Sequence, residues 1–299
     1  MQENDRQLVI QALGSLPAER FAVVDGAHFD NLPKELDIWQ LEHKALYLEK
    51  LGETPSTAGP YLVTLPDWEA ANRVLSLVGE LPAVVFWSWG DGQPSLYKHL
   101  RRINMIEIPV DDFDPELPKY DRVLFRHGDP NVMASMLSVL DEGKFMHLIG
   151  GAAGLVMFAG DEGGLRVAQR ISEMGADNQG LLRLSPEQYE ALKSSKVNKV
   201  SANVRNYLKK CAPEQTKSMS DDQLNAHVAT TMKESLNFGV TSEASHCRWS
   251  YMQLLSGNKL AKNEAVGNMM MADAPGISAN ERVKILMNRT ISTMKKSAR

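Results

Sequence analysis

The stretch Ala83–Trp89, with the sequence AVVFWSW, decides the fold class of the first half of this chain. It is rich in β-branched and aromatic residues, which favour a β-strand. The glycines of the following turn, 90–92 (GDG), end the strand, and Pro94 suits the first turn of a helix over residues 94–102. A strand followed so closely by a helix predicts a mixed α/β domain.

The same alternation extends on both sides of this stretch. Apolar runs bounded by glycine or proline predict strands at Phe21–Asp25, Pro60–Leu65, Ile103–Ile108 and Arg122–Phe125, and a hairpin over Ala153–Gly160 and Leu165–Ile171. Asp67 and Asp129 occupy N-cap positions of helices that begin at Trp68 and Pro130. We therefore predict an α/β fold class, with a mixed α/β domain over residues 1–178.

The second half of the chain has a helical pattern. Three serines, Ser185, Ser220 and Ser278, are each followed three residues later by Gln or Glu, which is the capping-box signature. Thr241 is predicted to cap a further helix. The predicted helices cover residues 186–211, 221–238, 242–255, 259–272 and 279–296. Residues 179–299 are therefore expected to form an all-helical C-terminal lobe.

The composition is that of a globular protein. The chain has 299 residues, of which 43% are hydrophobic and 23% charged, so disordered, fibrous and disulfide-scaffold classes are excluded. Two cysteines, Cys211 and Cys247, suit a reducing compartment. The longest uncharged stretch, Leu148–Gly160, is shorter than the roughly 18 residues of a membrane-spanning helix. We expect a cytoplasmic protein without membrane insertion.

The charge is divided unequally along the chain. Residues 1–178 carry 15 Lys and Arg against 27 Asp and Glu, a net charge of −12, whereas residues 179–299 carry 18 against 10, a net charge of +8. The two halves either attract each other or present different surfaces to charged partners. We do not expect nucleic acid as a partner, since the lysines at 193, 196 and 199 have the spacing of a solvated helix face without interleaved aromatic residues.

One segment, Arg126-His127-Gly128, is similar to the motif that opens the pocket of histidine phosphatases, where the histidine accepts the phosphoryl group. Here it is followed by Asp129, whose carboxylate would repel phosphate. A phosphoester hydrolase that uses this segment remains an alternative, as does a general protein-interaction module. The structural interpretation is that Arg126 and His127 end a strand before a capped helix.

Other chemical signals are weak. The glycine-rich run at 149–154 (IGGAAG) has no Walker lysine, the seven histidines form no pair at metal-binding helix spacing, and no G-x-S-x-G motif occurs. We therefore expect no catalytic residue, no cofactor and no metal, and a protein that is not an enzyme.

Five segments in order resemble one known family. They are AVVDGA (22–27), GPYLV (59–63), WSW (87–89), HLRR (99–102) and VLFRHGDPNV (123–132). Together they resemble the Tap/Tec-type adaptor chaperones of bacterial type VI secretion, which carry the domain of unknown function 4123. The similarity covers roughly residues 20–160, and FGVTSE (238–243) resembles the helical tail of the family. His127 and Asn131 replace an aromatic residue and an arginine of the family pattern.

The resemblance implies a cytoplasmic, non-enzymatic adaptor. Such a protein binds a toxin effector and loads it onto the spike (VgrG-type) protein at the tip of the secretion tube, so its expected partners are the effector and the spike. The family-motif or partner-binding candidates are Asp25, Pro60, Tyr61, Trp87, Trp89, His99, Arg102, Arg126, Asp129 and Pro130. Trp39, Trp68 and the acidic loop 111–116 are further contact candidates, whereas Trp87 and Trp89 are expected to belong to the core.

Overall fold

A computed structural model describes residues 3–17, 19–47, 57–110, 119–170, 180–271 and 276–297 of the chain. The chain divides into two units, Met1–Lys193 and Ser194–Arg299. The sequence pattern predicts a boundary after residue 178; in the structure the short strand Leu182–Arg183 still pairs within the first unit. In the described residues, no helix is long and apolar enough to cross a bilayer.

The first unit contains a six-stranded antiparallel sheet and a smaller three-stranded one. The strands are β1 (Glu19–Asp25), β2 (His43–Ala45), β3 (Pro60–Leu65), β4 (Val84–Trp89), β5 (Met105–Pro109), β6 (Tyr120–Leu124), β7 (Ala152–Ala159), β8 (Gly164–Gln169) and β9 (Leu182–Arg183). The large sheet has the order β2-β3-β1-β4-β7-β8. All six residues of β4 are buried, because it lies between β1 and β7.

Helices cover both faces of the large sheet, which confirms the predicted mixed α/β fold. They are α1 (Glu3–Gly14), α2 (Leu32–Ile38), α3 (Trp68–Val78), α4 (Gly92–Arg102), α5 (Pro130–Val139) and α6 (Glu142–Ile149). Alternate residues of β1 and β4 enter different cores: Ala22 and Phe86 pack with α1, α2 and α3, whereas Phe21 and Trp87 pack with α4, α5 and α6.

The smaller sheet, of order β6-β5-β9, adds to the core on the α4 side. β5 pairs antiparallel with β6 and parallel with β9. Ile106 of β5 and Leu182 of β9 are buried in the same cluster as Trp87. Glu107 of β5 is bracketed by two arginines, since it pairs with Arg122 at 3.4 Å and with Arg183 at 2.6 Å.

Aspartates begin three helices of the first unit. Asp67 accepts the backbone N–H of Ala70 at 2.7 Å and so caps α3. Asp129 caps α5, with Pro130 in its first turn, and Asp141 caps α6 through the N–H of Lys144. The first two caps confirm the sequence prediction, since a short acidic side chain before a helix satisfies amide donors that have no partner within the helix.

The second unit is helical in its described part. The long α7 (Pro186–Cys211) begins in the first unit and continues into the second, where it is followed by α8 (Pro213–Lys217), α9 (Asp221–Asn237), α10 (Glu243–Leu255), α11 (Glu264–Met271) and α12 (Ala279–Ser297). All three predicted capping boxes are present, at Ser185, Ser220 and Ser278. In each one the third residue donates its N–H to the serine Oγ at 3.2 Å, and its side chain accepts the serine N–H.

Two details of the helical prediction are wrong. The cap of α10 is Ser242, not Thr241, because Ser242 Oγ accepts the N–H of Ser245 while Thr241 Oγ1 accepts from the amide of Asn280 at 3.0 Å. The helix predicted over 259–272 is divided into a single 3-10 turn and α11. Asn263 lies between them, and its Oδ1 accepts the N–H groups at the start of α11.

Candidate functional site

Arg126 and Asp25 form an ion pair at the end of β1, although they lie far apart in sequence. Arg126 donates from Nε and Nη2 to the same oxygen, Oδ2 of Asp25, at 3.0 and 2.7 Å. The other carboxylate oxygen accepts the N–H of Ala27 at 2.9 Å. The side chain of Asp25 is 5% exposed and that of Arg126 is 42% exposed. A buried carboxylate is therefore compensated by a guanidinium that reaches the surface.

Asp129 completes this arrangement, which we call the motif corner (Asp25, Gly26, Arg126, Gly128 and Asp129). Its Oδ2 lies 3.4 Å from Nη2 of Arg126, and its Oδ1 accepts the N–H groups of Asn131 and Val132. Burial raises the pKa of the Asp129 carboxyl, against the opposing effects of these hydrogen bonds and of the Arg126 charge. Asp129 thus joins β6 to α5 and also binds the arginine that holds β1.

Two glycines allow the chain to close around the corner. A Cβ on Gly26 would lie 2.4 Å from the carbonyl oxygen of Gly59, and a Cβ on Gly128 would lie 3.2 Å from the backbone nitrogen of Asp25. Pro60 pairs with Asp25 in the register of β1 and β3, so the GPYLV segment lies beside the same corner. Tyr61, the next residue, is buried in the core on the opposite side of the sheet, with α1, α2 and α3.

His127 lies beneath the corner and is completely buried. Its Nε2 is 2.7 Å from Oδ1 of Asn104, and burial, together with the nearby His99, lowers its pKa to about 3. An imidazole that attacks a phosphoryl group must reach the substrate. The burial of His127 therefore counts against the phosphoester hydrolase alternative.

The cluster Asp25, His28 and Asp129 has ligand atoms within 4.8 Å of one another, as in a metal site. The guanidinium of Arg126 already lies among them, bonded to Asp25 and 3.4 Å from both Asp129 Oδ2 and His28 Nε2. A metal ion would have to displace this positive charge. We therefore interpret the group as an ion-paired corner that supports the fold.

Trp87, Trp89 and His99 form a second cluster, on the side of the sheet covered by α4. The ring of His99 stacks on Trp89 at a centroid distance of 5.2 Å and meets Trp87 edge-on at 5.9 Å. Its Nε2 is 2.9 Å from the carbonyl oxygen of Leu148, and burial lowers its pKa to about 4. Gly150 has a φ of +58° and approaches the imidazole so closely that a Cβ there would lie 2.5 Å from it. These residues pack in the core.

Arg102 belongs to a different feature, a group of cations at the carboxyl end of α4. We call it the α4 cationic face (Lys44, Lys98, Arg101 and Arg102, around Tyr97). Lys44 Nζ lies 4.0 Å from the Tyr97 ring centroid, and Arg101 Cζ lies 5.7 Å from it. The HLRR segment contains two of these cations, Arg101 and Arg102. The sequence of α4 does not indicate that Lys44 of β2 lies beside them.

The remaining contact candidates are distributed over the first unit. Trp68 is 40% exposed, and the guanidinium of Arg20 lies over its ring, with Cζ 4.5 Å from the ring centroid. Trp39 is half-buried against the core that includes α2 and α3. The acidic loop 111–116 lies outside the described residues. The candidate residues thus do not form one site: most build the motif corner or the core, and Arg102 lies on a cationic surface.

Comparison with known proteins gives one match. No curated protein and no solved structure is significantly similar to the chain. Residues 20–145, which run from β1 into α6 and include the motif corner and the α4 cationic face, match the family model described as Domain of unknown function (DUF4123).

Proposed function

We propose that this protein is a cytoplasmic adaptor that binds a toxin effector of a type VI secretion system and loads it onto the spike protein of the apparatus, without catalysing a reaction. The match to the DUF4123 model supports this proposal, because the segments that resemble the adaptor chaperones fall mainly within residues 20–145.

The observation that carries the proposal is that the polar motif residues contact one another or are buried, and so stabilise the fold. Arg126 pairs with both Asp25 and Asp129, and His127 is buried. These residues therefore position β1, β6 and α5. The cations of the α4 cationic face, in contrast, lie on an open surface that suits protein binding.

The adaptor hypothesis also fits the chemistry of exchange. A carrier must hold its cargo and then release it, which favours a moderate interface of on the order of 1,600 Å² in total rather than a deeply buried one. Charged groups at the edge of an interface speed the encounter and select the partner more than they raise the affinity.

The test is co-purification from the native cytosol. A tagged full-length protein, expressed while the secretion genes are active, should retain a toxin-like protein and a spike protein, both identified by mass spectrometry. Deletion of the adaptor gene should abolish secretion of that toxin, and the wild-type gene should restore it. A preparation that retains neither protein, or secretion that continues without the adaptor, would refute the proposal.

A further inference from the structure

The α4 cationic face is a set of positive charges that form no ion pair within the part of the chain that the structure describes. Lys44, Lys98 and Arg102 are exposed, and Arg101 is half-buried. None of the four forms an ion pair with a described residue. Other cations of the same unit are compensated, since Arg122 pairs with Glu107 and Lys144 with Asp141. This concentration of positive charge stands in contrast to residues 1–178 as a whole, which carry a net charge of −12.

Helix stability does not explain this arrangement. Cations in the last turn of a helix interact favourably with its dipole, and this accounts for Arg101 and Arg102. It does not account for Lys44, which comes from β2. Lys98 and Arg102 are four residues apart, where like charges destabilise a helix. A surface that gathers like charges from two elements is better explained by a partner of opposite charge.

Tyr97 organises the surface. Its hydroxyl donates to the carbonyl oxygen of Ala45 at 3.0 Å, which fixes the ring against β2. The ring then contacts both Lys44 and Arg101 through its face. Because cation–π contacts leave the N–H groups of the cations available, these donors can bind an incoming carboxylate.

Lys98 and Arg102 form a ridge between two open clefts. One cleft, of about 530 Å³, is lined by Lys44, Pro94, Tyr97 and Arg101 as well as by the ridge residues. The other, of about 290 Å³, includes Trp89, Ser95 and Gly151 and has a single carboxylate, that of Asp91. Open grooves beside exposed cations suit an extended chain that carries several carboxylates.

We propose that the α4 cationic face binds an acidic, extended segment of the cargo protein; this inference rests on the proposed adaptor function. Cargo is favoured over a permanent partner because exposed charge pairs form and dissociate rapidly, as delivery requires. An acidic polypeptide is favoured over nucleic acid because the surrounding net charge of −12 would repel a long, uniformly charged rod.

The first test uses a fluorescein-labelled peptide of alternating glutamate and serine, added to the full-length protein and followed by fluorescence anisotropy. The glutamate peptide should bind, more weakly as salt is added, and the glutamine version should not. The double variant Lys98→Glu with Arg102→Glu should bind it at least about tenfold more weakly, and Lys44→Glu should weaken it as well. The double variant should instead gain affinity for the matching lysine peptide.

The matched control is Lys34→Glu with Lys119→Glu, which makes the same change in net charge at exposed positions that line neither cleft. It should retain most of the affinity for the glutamate peptide. Equal loss in the control and the face variants, or unchanged binding in the face variants, would overturn the inference. Displacement of the peptide by an oligonucleotide of comparable charge at lower concentration would also overturn it, in favour of a nucleic-acid surface.

Co-purification separates this inference from the adaptor proposal. If the wild-type protein retains effector and spike, the double variant should lose the effector and keep the spike. Retention of both by the variant, or loss of the spike alone, would refute the role of the α4 cationic face while leaving the adaptor function standing. A wild-type protein that retains neither the effector nor the spike would refute the adaptor function itself.

Discussion

Asn104 holds the imidazole of His127 in one tautomer. The amide nitrogen of Asn104 donates to the carbonyl oxygen of Leu46 at 2.9 Å, which turns its Oδ1 toward His127. Nε2 of His127 must therefore carry the proton, and Nδ1 has no hydrogen-bond partner among the described residues. The arrangement suits a neutral imidazole and opposes a charged one.

The two buried histidines should make the first unit less stable in mild acid. The pKa of His99 is lowered to about 4 and that of His127 to about 3, from 6.5. Below pH 6.5 the two histidines take up protons in the unfolded chain but not in the folded one. The free energy of unfolding is therefore highest above pH 6.5 and falls as the pH decreases toward the two lowered pKa values. The expected loss is about 1.4 kcal/mol per histidine for each pH unit.

Urea unfolding between pH 7 and pH 5, followed by tryptophan fluorescence, measures this effect. Four of the five tryptophans lie in the first unit, so its unfolding dominates the signal. His127→Gln should remove about half of the pH dependence. An unchanged slope in that variant would show that His127 takes up a proton in the folded state.

Removal of Arg126 should destabilise the first unit. Arg126→Ala leaves the buried carboxylates of Asp25 and Asp129 without their cation, and we expect a loss of about 2 kcal/mol, below the range for fully buried pairs because Arg126 is partly exposed. Urea unfolding measures it. The control Arg122→Ala removes an exposed arginine from Glu107, which keeps its pair with Arg183, and should cost less than about 0.5 kcal/mol. A stable Arg126→Ala protein that no longer delivers the effector would instead make this corner a contact surface.

The close approach of two backbone segments at Gly26 should forbid a side chain there. Gly26→Ala would place a methyl group 2.4 Å from the Gly59 carbonyl oxygen, so we expect a loss of about 3 kcal/mol or a failure to fold. Gly160→Ala is the matched control, since its Cβ would meet no atom within 4 Å and should change stability by less than about 0.5 kcal/mol. Thermal unfolding of both variants distinguishes them, and equal midpoints would contradict the tight packing.

The capping box of α9 should stabilise its first turn. Ser220→Ala removes the acceptor for the N–H of Gln223, which should cost about 1 kcal/mol. Hydrogen exchange of the amides at residues 221–224 should become about fivefold faster. Ser218→Ala, an exposed serine just outside the helix, should leave exchange in α9 unchanged. Equal protection in the two variants would show that the box does not hold this turn.

Local signals predict the elements of this fold better than they predict its contacts. The capping boxes and the strands at residues 60–65 and 84–89 are recognisable because one short segment contains all the information. The three-residue β2 and the two-residue β9 carry no periodicity and depend on their neighbours in the sheets. No local pattern in the sequence predicts either of them.

The contacts that define the sites are non-local. Arg126 and Asp25 are 101 residues apart, and Tyr97 and Ala45 are 52 apart. The sequence motifs contain Asp25, Arg126 and Asp129 as candidate residues, but no sequence pattern predicts that they pair with one another. Lys44 comes close to α4 because β2 pairs with β3 at the edge of the large sheet. No local sequence pattern predicts this pairing.

The position of β7 has a practical consequence for work on this domain. The segment that matches the family model ends at residue 145, yet β4 pairs along one edge with β7, at Ala152–Ala159. A fragment cut at the limits of the match would leave the backbone N–H and C=O groups on one edge of β4 unpaired beside its buried apolar side chains, and it would lack the packing of α1 on β7. Open, hydrophobic strand edges pair with other chains. Fragments for binding studies should therefore extend beyond β8 and begin before α1, or they will associate through this edge and imitate partner binding.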